Sequence, residues 1–172
     1  MSMTSLEQKA YIFAMAAHEA VSQKRKYTGE PYIVHPMEVA SIVKSVPHTD
    51  EMIAAAYLHD VVEDTDIGIA TILHVFGPVV AEYVHLLTDP PKGDSGLNRK
   101  ARKAMCRDRL ANAPAQVQTV KFADFISNTA SVVQHDPIFG KVYLEEKRMF
   151  LEAMTKGDPT LRARASAIVG AV

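Results

Sequence analysis

The six residues His59-Asp60-Val61-Val62-Glu63-Asp64, HDVVED, decide how this chain is read. On a continuous helix, at about 100° per residue, setting His59 at zero places Asp60 near ~100°, Glu63 near ~40° and Asp64 near ~140°. Val61 and Val62 fall near ~200° and ~300°, on the other side. One face would then carry four groups suited to metal and water chemistry while the opposite face is buried. Two more candidate ligands lie far away in the sequence, His35 and Asp124. Asp124 sits in VKFADFISNTASVV, where Val120, Phe122, Ala123, Ile126 and Ala130 mark an apolar helix. A carboxylate on or near such a face is costly unless it is paired or bound to a cation. Two histidines and two aspartates without sulfur favour Mn²⁺, Fe²⁺ or a related ion and argue against a structural zinc.

The rest of the chain is consistent with one all-α domain over residues 1–172. Its apolar share, 48%, is ordinary for a soluble protein, and no apolar run approaches the roughly 20 residues that span a bilayer. The first residues do not read as a secretory signal, and the lone Cys106 can form no intrachain disulfide, so cytoplasm is the expected compartment. A net charge of −1 gives no case for nucleic acid or a membrane as partner. The oligomeric state is not encoded in any feature of the sequence. The cations nevertheless cluster, as Lys24-Arg25-Lys26 and as Arg99, Lys100, Arg102, Lys103, Arg107 and Arg109. A solvated helix face is the ordinary explanation; a phosphate-rich small molecule beside a metal is the other.

Helical spacing runs through most of the chain, about eight or nine helices in all. Ser5 with Gln8 can form a capping box for a helix through about Gln23. KRKYTGEPYIV reads as a loop; a second helix starts near His35-Pro36 and ends before Pro47. Asp50 can cap a third helix that carries His59 to Asp64 in its C-terminal half, and Asp66 a fourth, ended by Gly77 before Pro78 starts another. DPPKGDSG is a loop, LNRKARKAMCRDRLAN a basic helix, and Pro114 opens a long helix carrying Lys121, Asp124 and Asn128. HDPIFG reads as a turn before two last helices, near Val142 to Met154 and Thr160 to Val169. His18, His74 and His85 are expected to pack or hydrogen-bond, and His48 and His135 to face solvent. Cationic neighbours on the basic helix are expected to lower the Cys106 pKa.

HDVVED with an upstream histidine and a downstream aspartate resembles the HD-domain phosphohydrolases. RKYTGEPYIVHP, LHDVVEDT, the FGPVVAEYVHLLTD region and KFADFISN follow the order of the hydrolase domain of RelA/SpoT-type alarmone enzymes, including the small animal Mesh1 type. The match spans roughly residues 5–155. That resemblance implies Mn²⁺-dependent removal of the 3′-pyrophosphate of guanosine tetra- or pentaphosphate, a small nucleotide, leaving GDP or GTP. It implies one metal ion held by His35, His59, Asp60 and Asp124. It places Glu63 and Asp64 at the water, Arg25 and Lys26 at the substrate phosphates, and Asn128 near the nucleoside. Arg102, after a loop of different length, would take the place of a basic phosphate contact. A chain that ends soon after the hydrolase region is expected to degrade alarmones and not to make them.

The sequence also departs from the pattern. After KxAD the family continues with a basic residue, an aromatic or His before the Asn, and an Arg two positions beyond it. Here Phe125, Ser127 and Ala130 occupy those positions. An adenosine alarmone such as ppApp, or the 2′-phosphate of NADPH, is therefore an alternative substrate. Another HD nucleotidase, or a nucleotide sensor without turnover, is the alternative in function.

Overall fold

The computed structural model describes residues 3–90 and 98–170, and the protein divides into two compact units, Met1–Thr88 and Asp89–Val172. Most of the loop expected at DPPKGDSG lies outside the described residues. Among those residues the regular structure is helical, with a single isolated bridge between Lys24 and Pro31 and no strand. No helix among them is long and apolar enough to cross a membrane.

The first unit is organised around one buried helix. It comprises α1 (Ser5–Ala20), α2 (Val34–Val43), α3 (Asp50–Leu58), α4 (Val61–Asp64), α5 (Ile69–Phe76) and α6 (Pro78–Leu87). In α3 every residue from Met52 to Leu58 is buried, the pattern of a helix surrounded by others. It packs against α1, α2 and α6. Ala54, Ala55 and Ala56 of α3 and Ala10, Ala14 and Ala17 of α1 are all buried, small side chains that let the two packed helices approach closely. The end of α3 therefore lies deep in the unit, so His59, its C-terminal cap residue, is buried.

Several boundaries differ from the sequence expectations. Thr4, not Ser5, caps α1, its hydroxyl accepting from the Glu7 amide at 3.3 Å, and the helix stops at Ala20. Thr49 takes the cap expected of Asp50, and Gly68 precedes α5 in place of Asp66. The largest change is at HDVVED. Here α3 ends at Leu58, His59 and Asp60 form a turn, and Val61–Asp64 make a separate helical turn. Asp60 keeps helix-like dihedrals (φ −100°, ψ −6°), so the break is a bend with no Gly or Pro to announce it. Both α5 and α6 bury only one side, which leaves His74 and His85 exposed instead of packed.

The second unit contains α7 (Arg99–Asn112), α8 (Ala115–His135), α9 (Pro137–Ala153) and α10 (Pro159–Gly170). Asp136 caps α9 with Pro137 in its first turn, so the expected HDPIFG turn is already helix. The unit's centre is α8, which packs on α7, α9 and α10. Its buried Gln118 amide donates to the Leu110 carbonyl at 2.8 Å and accepts from the Lys156 and Gly157 amides at 2.7 and 3.1 Å. Gly157 must be glycine for this approach, because a Cβ there would stand 2.5 Å from the Phe122 ring. These contacts fix α8, and with it Asp124.

Candidate metal centre

In the first unit, three of the expected ligands meet. His35 and His59 are each 1% exposed, with ring centroids 5.1 Å apart and ligand nitrogens within 4.8 Å. His35 is delivered by the tight turn that opens α2, its amide bonded to the Tyr32 carbonyl at 3.0 Å. His59 is oriented by its own helix, Nδ1 lying 2.8 Å from the Ala56 carbonyl. A neutral ring so bonded turns its Nε2 lone pair the other way. That Nε2 stands 3.0 Å from Asp60 Oδ2, which is also 3.6 Å from His35 Nε2 and accepts the Tyr32 hydroxyl at 2.6 Å. Two buried imidazole nitrogens and the oxygen of a half-buried carboxylate converge as a donor set for a divalent cation.

The turn after Leu58 carries both residues and sets Asp60 Oδ2 beside both imidazoles. The acidic pair differs in its surroundings. Glu63 is exposed, whereas Asp64 is half-buried and accepts from Gln23 Nε2 at 2.9 Å. The Gln23 carbonyl oxygen lies 2.6 Å from Nδ1 of His18, a buried ring that packs 4.7 Å from Tyr32. His18 thus hydrogen-bonds as expected, and burial lowers its pKa against the opposing Gln23 bond and the Asp60 and Asp64 charges. Gln23 and Tyr32 were missed by sequence reading. Tyr32 stands three residues before His35, inside the stretch that carries the resemblance, and that position was its one signal.

Arg25 lies 6.0 Å from the Tyr32 ring centroid, and Lys26 is exposed beside Tyr27. Their loop closes through the Arg25 amide to the Glu30 carbonyl and the Gly29 amide to the Arg25 carbonyl, with Gly29 at φ +72°. An L side chain rarely takes that conformation.

In the second unit, Asp124 is 6% exposed on α8. Its Oδ1 accepts from Asn128 Nδ2 at 2.7 Å and its Oδ2 lies 3.0 Å from Lys121 Nζ. Asn128, expected at the nucleoside, thus holds a proposed ligand with part of its amide. Arg102 is half-buried on α7. Asp89 is bonded to Lys103 and receives the Cys106 thiol at 3.1 Å. The Cys106 expectation is overturned: burial first, then the Asp89 carboxylate, pushes the thiol up to about 11. It is no nucleophile at neutral pH.

Helices around a His-Asp pair at a helix end, the histidine buried and the aspartate half-buried, define an HD-type site. The HD domain family model matches residues 10–135, and the chain belongs to that family. A Synechocystis protein named probable guanosine-3′,5′-bis(diphosphate) 3′-pyrophosphohydrolase is 39% identical over 122 residues, covering 70% of this chain and 16% of its own. A Brucella melitensis GTP pyrophosphokinase rsh is 34% identical over 169 residues, 87% of this chain and 22% of its own. The chain therefore spans less than a quarter of these relatives. The Drosophila melanogaster guanosine-3′,5′-bis(diphosphate) 3′-pyrophosphohydrolase MESH1 is 34% identical over 125 residues, 71% of this chain and 68% of the fly protein. A solved metazoan ortholog of SpoT described as hydrolyzing ppGpp shares the fold, with a TM-score of 0.86 at 23% identity over 99% of this chain and 97% of that one.

Asp89 gives a test of the second unit's charge network. Burial would raise its pKa, but Lys121 and Lys103, with the Lys103 and Cys106 hydrogen bonds, hold it well below the usual carboxylate range. A depressed folded pKa contributes stability above the unfolded value near ~4 and loses it as pH falls through the folded one. Asp89 and Lys103 side chains stay 20% and 23% exposed, so the pair counts for less than a fully buried one. Asp89→Asn should cost about 2 kcal/mol at pH 7, and the gap to wild type should narrow by pH 3 in urea denaturation. A gap that does not change with pH would contradict this network.

Proposed function

We propose that this chain is a phosphohydrolase that removes the 3′-pyrophosphate of guanosine tetra- or pentaphosphate, leaving GDP or GTP, with Mn²⁺ as its cation. The observation that carries the reading is Asp60 Oδ2 flanked by two buried imidazoles, in a chain whose relatives include named hydrolases of this nucleotide. His35, His59 and Asp60 would hold the ion, with Asp124 as the fourth ligand on the resemblance. When bound, such an ion polarises a phosphoryl oxygen and lowers the pKa of water.

The chain's own residues divide the remaining work. Glu63, exposed and one turn beyond His59, accepts a proton from the attacking water. Asp64, held by Gln23, orients that water. Arg25 reaches phosphate oxygens through a planar fork and Lys26 as a point charge, which offsets the charge on the pyrophosphoryl group as water bonds to its phosphorus and the bond to the ribose 3′-oxygen breaks, that oxygen leaving as the 3′-hydroxyl of GDP or GTP. Arg102 adds a further phosphate contact. Asn128, which donates to Asp124 through its amide, meets the nucleoside on the resemblance.

Purified protein should release pyrophosphate from ppGpp in the presence of Mn²⁺, and His59→Ala should abolish this while the chain stays helical by circular dichroism. Assays with ppApp and NADPH in parallel report the base and the phosphate chosen. Turnover of NADPH alone, or of none of the three despite bound metal, would refute the proposal. Gln23→Leu removes the hydrogen bond to Asp64 and touches no proposed ligand. It should lower kcat by about tenfold with Mn²⁺ affinity within about threefold. An unchanged kcat would remove Gln23 from the site.

A further inference from the structure

Lys147 is a buried cation that the chemistry above does not use. It lies on α9 at 7% exposure, its ammonium 3.9 Å from the Phe125 ring centroid, 4.5 Å from Tyr143 and 5.7 Å from Phe150. Among the described residues it forms no hydrogen bond, and no carboxylate lies within ion-pair distance. Ring faces attract a cation but offer its three N–H donors no oxygen acceptor. Burial, with Lys121 nearby, pulls the amine down to about 7 against the attraction of Asp124. A charged group kept in such surroundings is costly unless something arrives to pair with it.

Its position says what would arrive. Phe125 directly follows Asp124, at the position where the resembled pattern has a basic residue. Lys147 of α9 brings its ammonium over that ring at 3.9 Å, while Lys121 of α8, 5.7 Å from the same centroid, is engaged with Asp124. An ammonium with open donors, walled by aromatic rings, suits an anionic oxygen group shielded from water.

We propose that Lys147 is a specificity-determining residue that binds a phosphate oxygen of the nucleotide substrate, with Phe125 and Tyr143 as the walls of that contact. This rests on the hydrolase reading above. A purely structural clamp is the competing role, and the two differ in what Lys147→Met does. The substitution replaces a buried charge by an apolar chain of similar length, so under the proposal the melting temperature holds or rises.

The test is steady-state hydrolysis of ppGpp by the Mn²⁺-loaded protein, with inhibition by GDP and by inorganic pyrophosphate measured alongside. Lys147→Met should raise KM by about tenfold and leave kcat within about threefold, and Lys147→Arg should restore KM to within about threefold of wild type. Weaker inhibition by GDP assigns the 5′-phosphates, and weaker inhibition by pyrophosphate assigns the 3′ group; either supports the contact. An unchanged KM overturns the assignment and leaves the hydrolase reading intact. A melting temperature several degrees lower, with kcat and KM of the arginine variant as damaged as those of the methionine variant, assigns the structural role instead. Wild-type protein that does not turn over ppGpp removes the hydrolase reading and this contact together.

Discussion

One carboxylate oxygen organises the first unit. Oδ2 of Asp60 receives the Tyr32 hydroxyl and faces Nε2 of both His35 and His59. It can do so because α3 is buried on all sides and ends at Leu58, so the residues that follow emerge inside the unit and bend at once. Tyr32 carries the constraint outward: its ring packs on His18 and lies beside Arg25, while its hydroxyl fixes the aspartate. The hydroxyl-to-carboxylate bond joins the loop to the HD turn, and the His18–Gln23–Asp64 bonds tie the first helix to the same region.

The second unit solves a related electrostatic problem by pairing charges within and around α8. Asp124 is held by Lys121 and Asn128, and Asp89 by Lys103 and the Cys106 thiol. A buried carboxylate so restrained keeps its orientation, as a metal ligand requires. Lys147 is the exception, surrounded by rings and not by oxygens. That contrast makes it informative.

The helical class and the ligand candidates were legible because both rest on short-range patterns: 3.6-residue periodicity, and His-Asp adjacency followed by two acids. Helix starts were less so. Thr4 and Ser5, or Thr49 and Asp50, are competent caps side by side, and local chemistry does not choose between them. The bend in HDVVED was invisible, because Asp60 stays near helical dihedrals and no glycine or proline marks it. The support for Asp64 was out of reach for another reason. It runs from His18 to Gln23 and then across 41 residues of sequence to Asp64, a distance closed by tertiary packing, α1 lying against α4. Cys106 shows the converse error, where cations counted along the helix suggested a lowered pKa and burial beside Asp89 raises it.

The cation site proposed at the His-Asp cluster of the first unit is open to direct observation in an anomalous difference map from crystals of this protein grown with Mn²⁺. One strong peak is expected, bonded to Nε2 of His35, Nε2 of His59 and the Asp60 carboxylate, and absent in His59→Ala. A peak elsewhere, or none at saturating Mn²⁺, would contradict it.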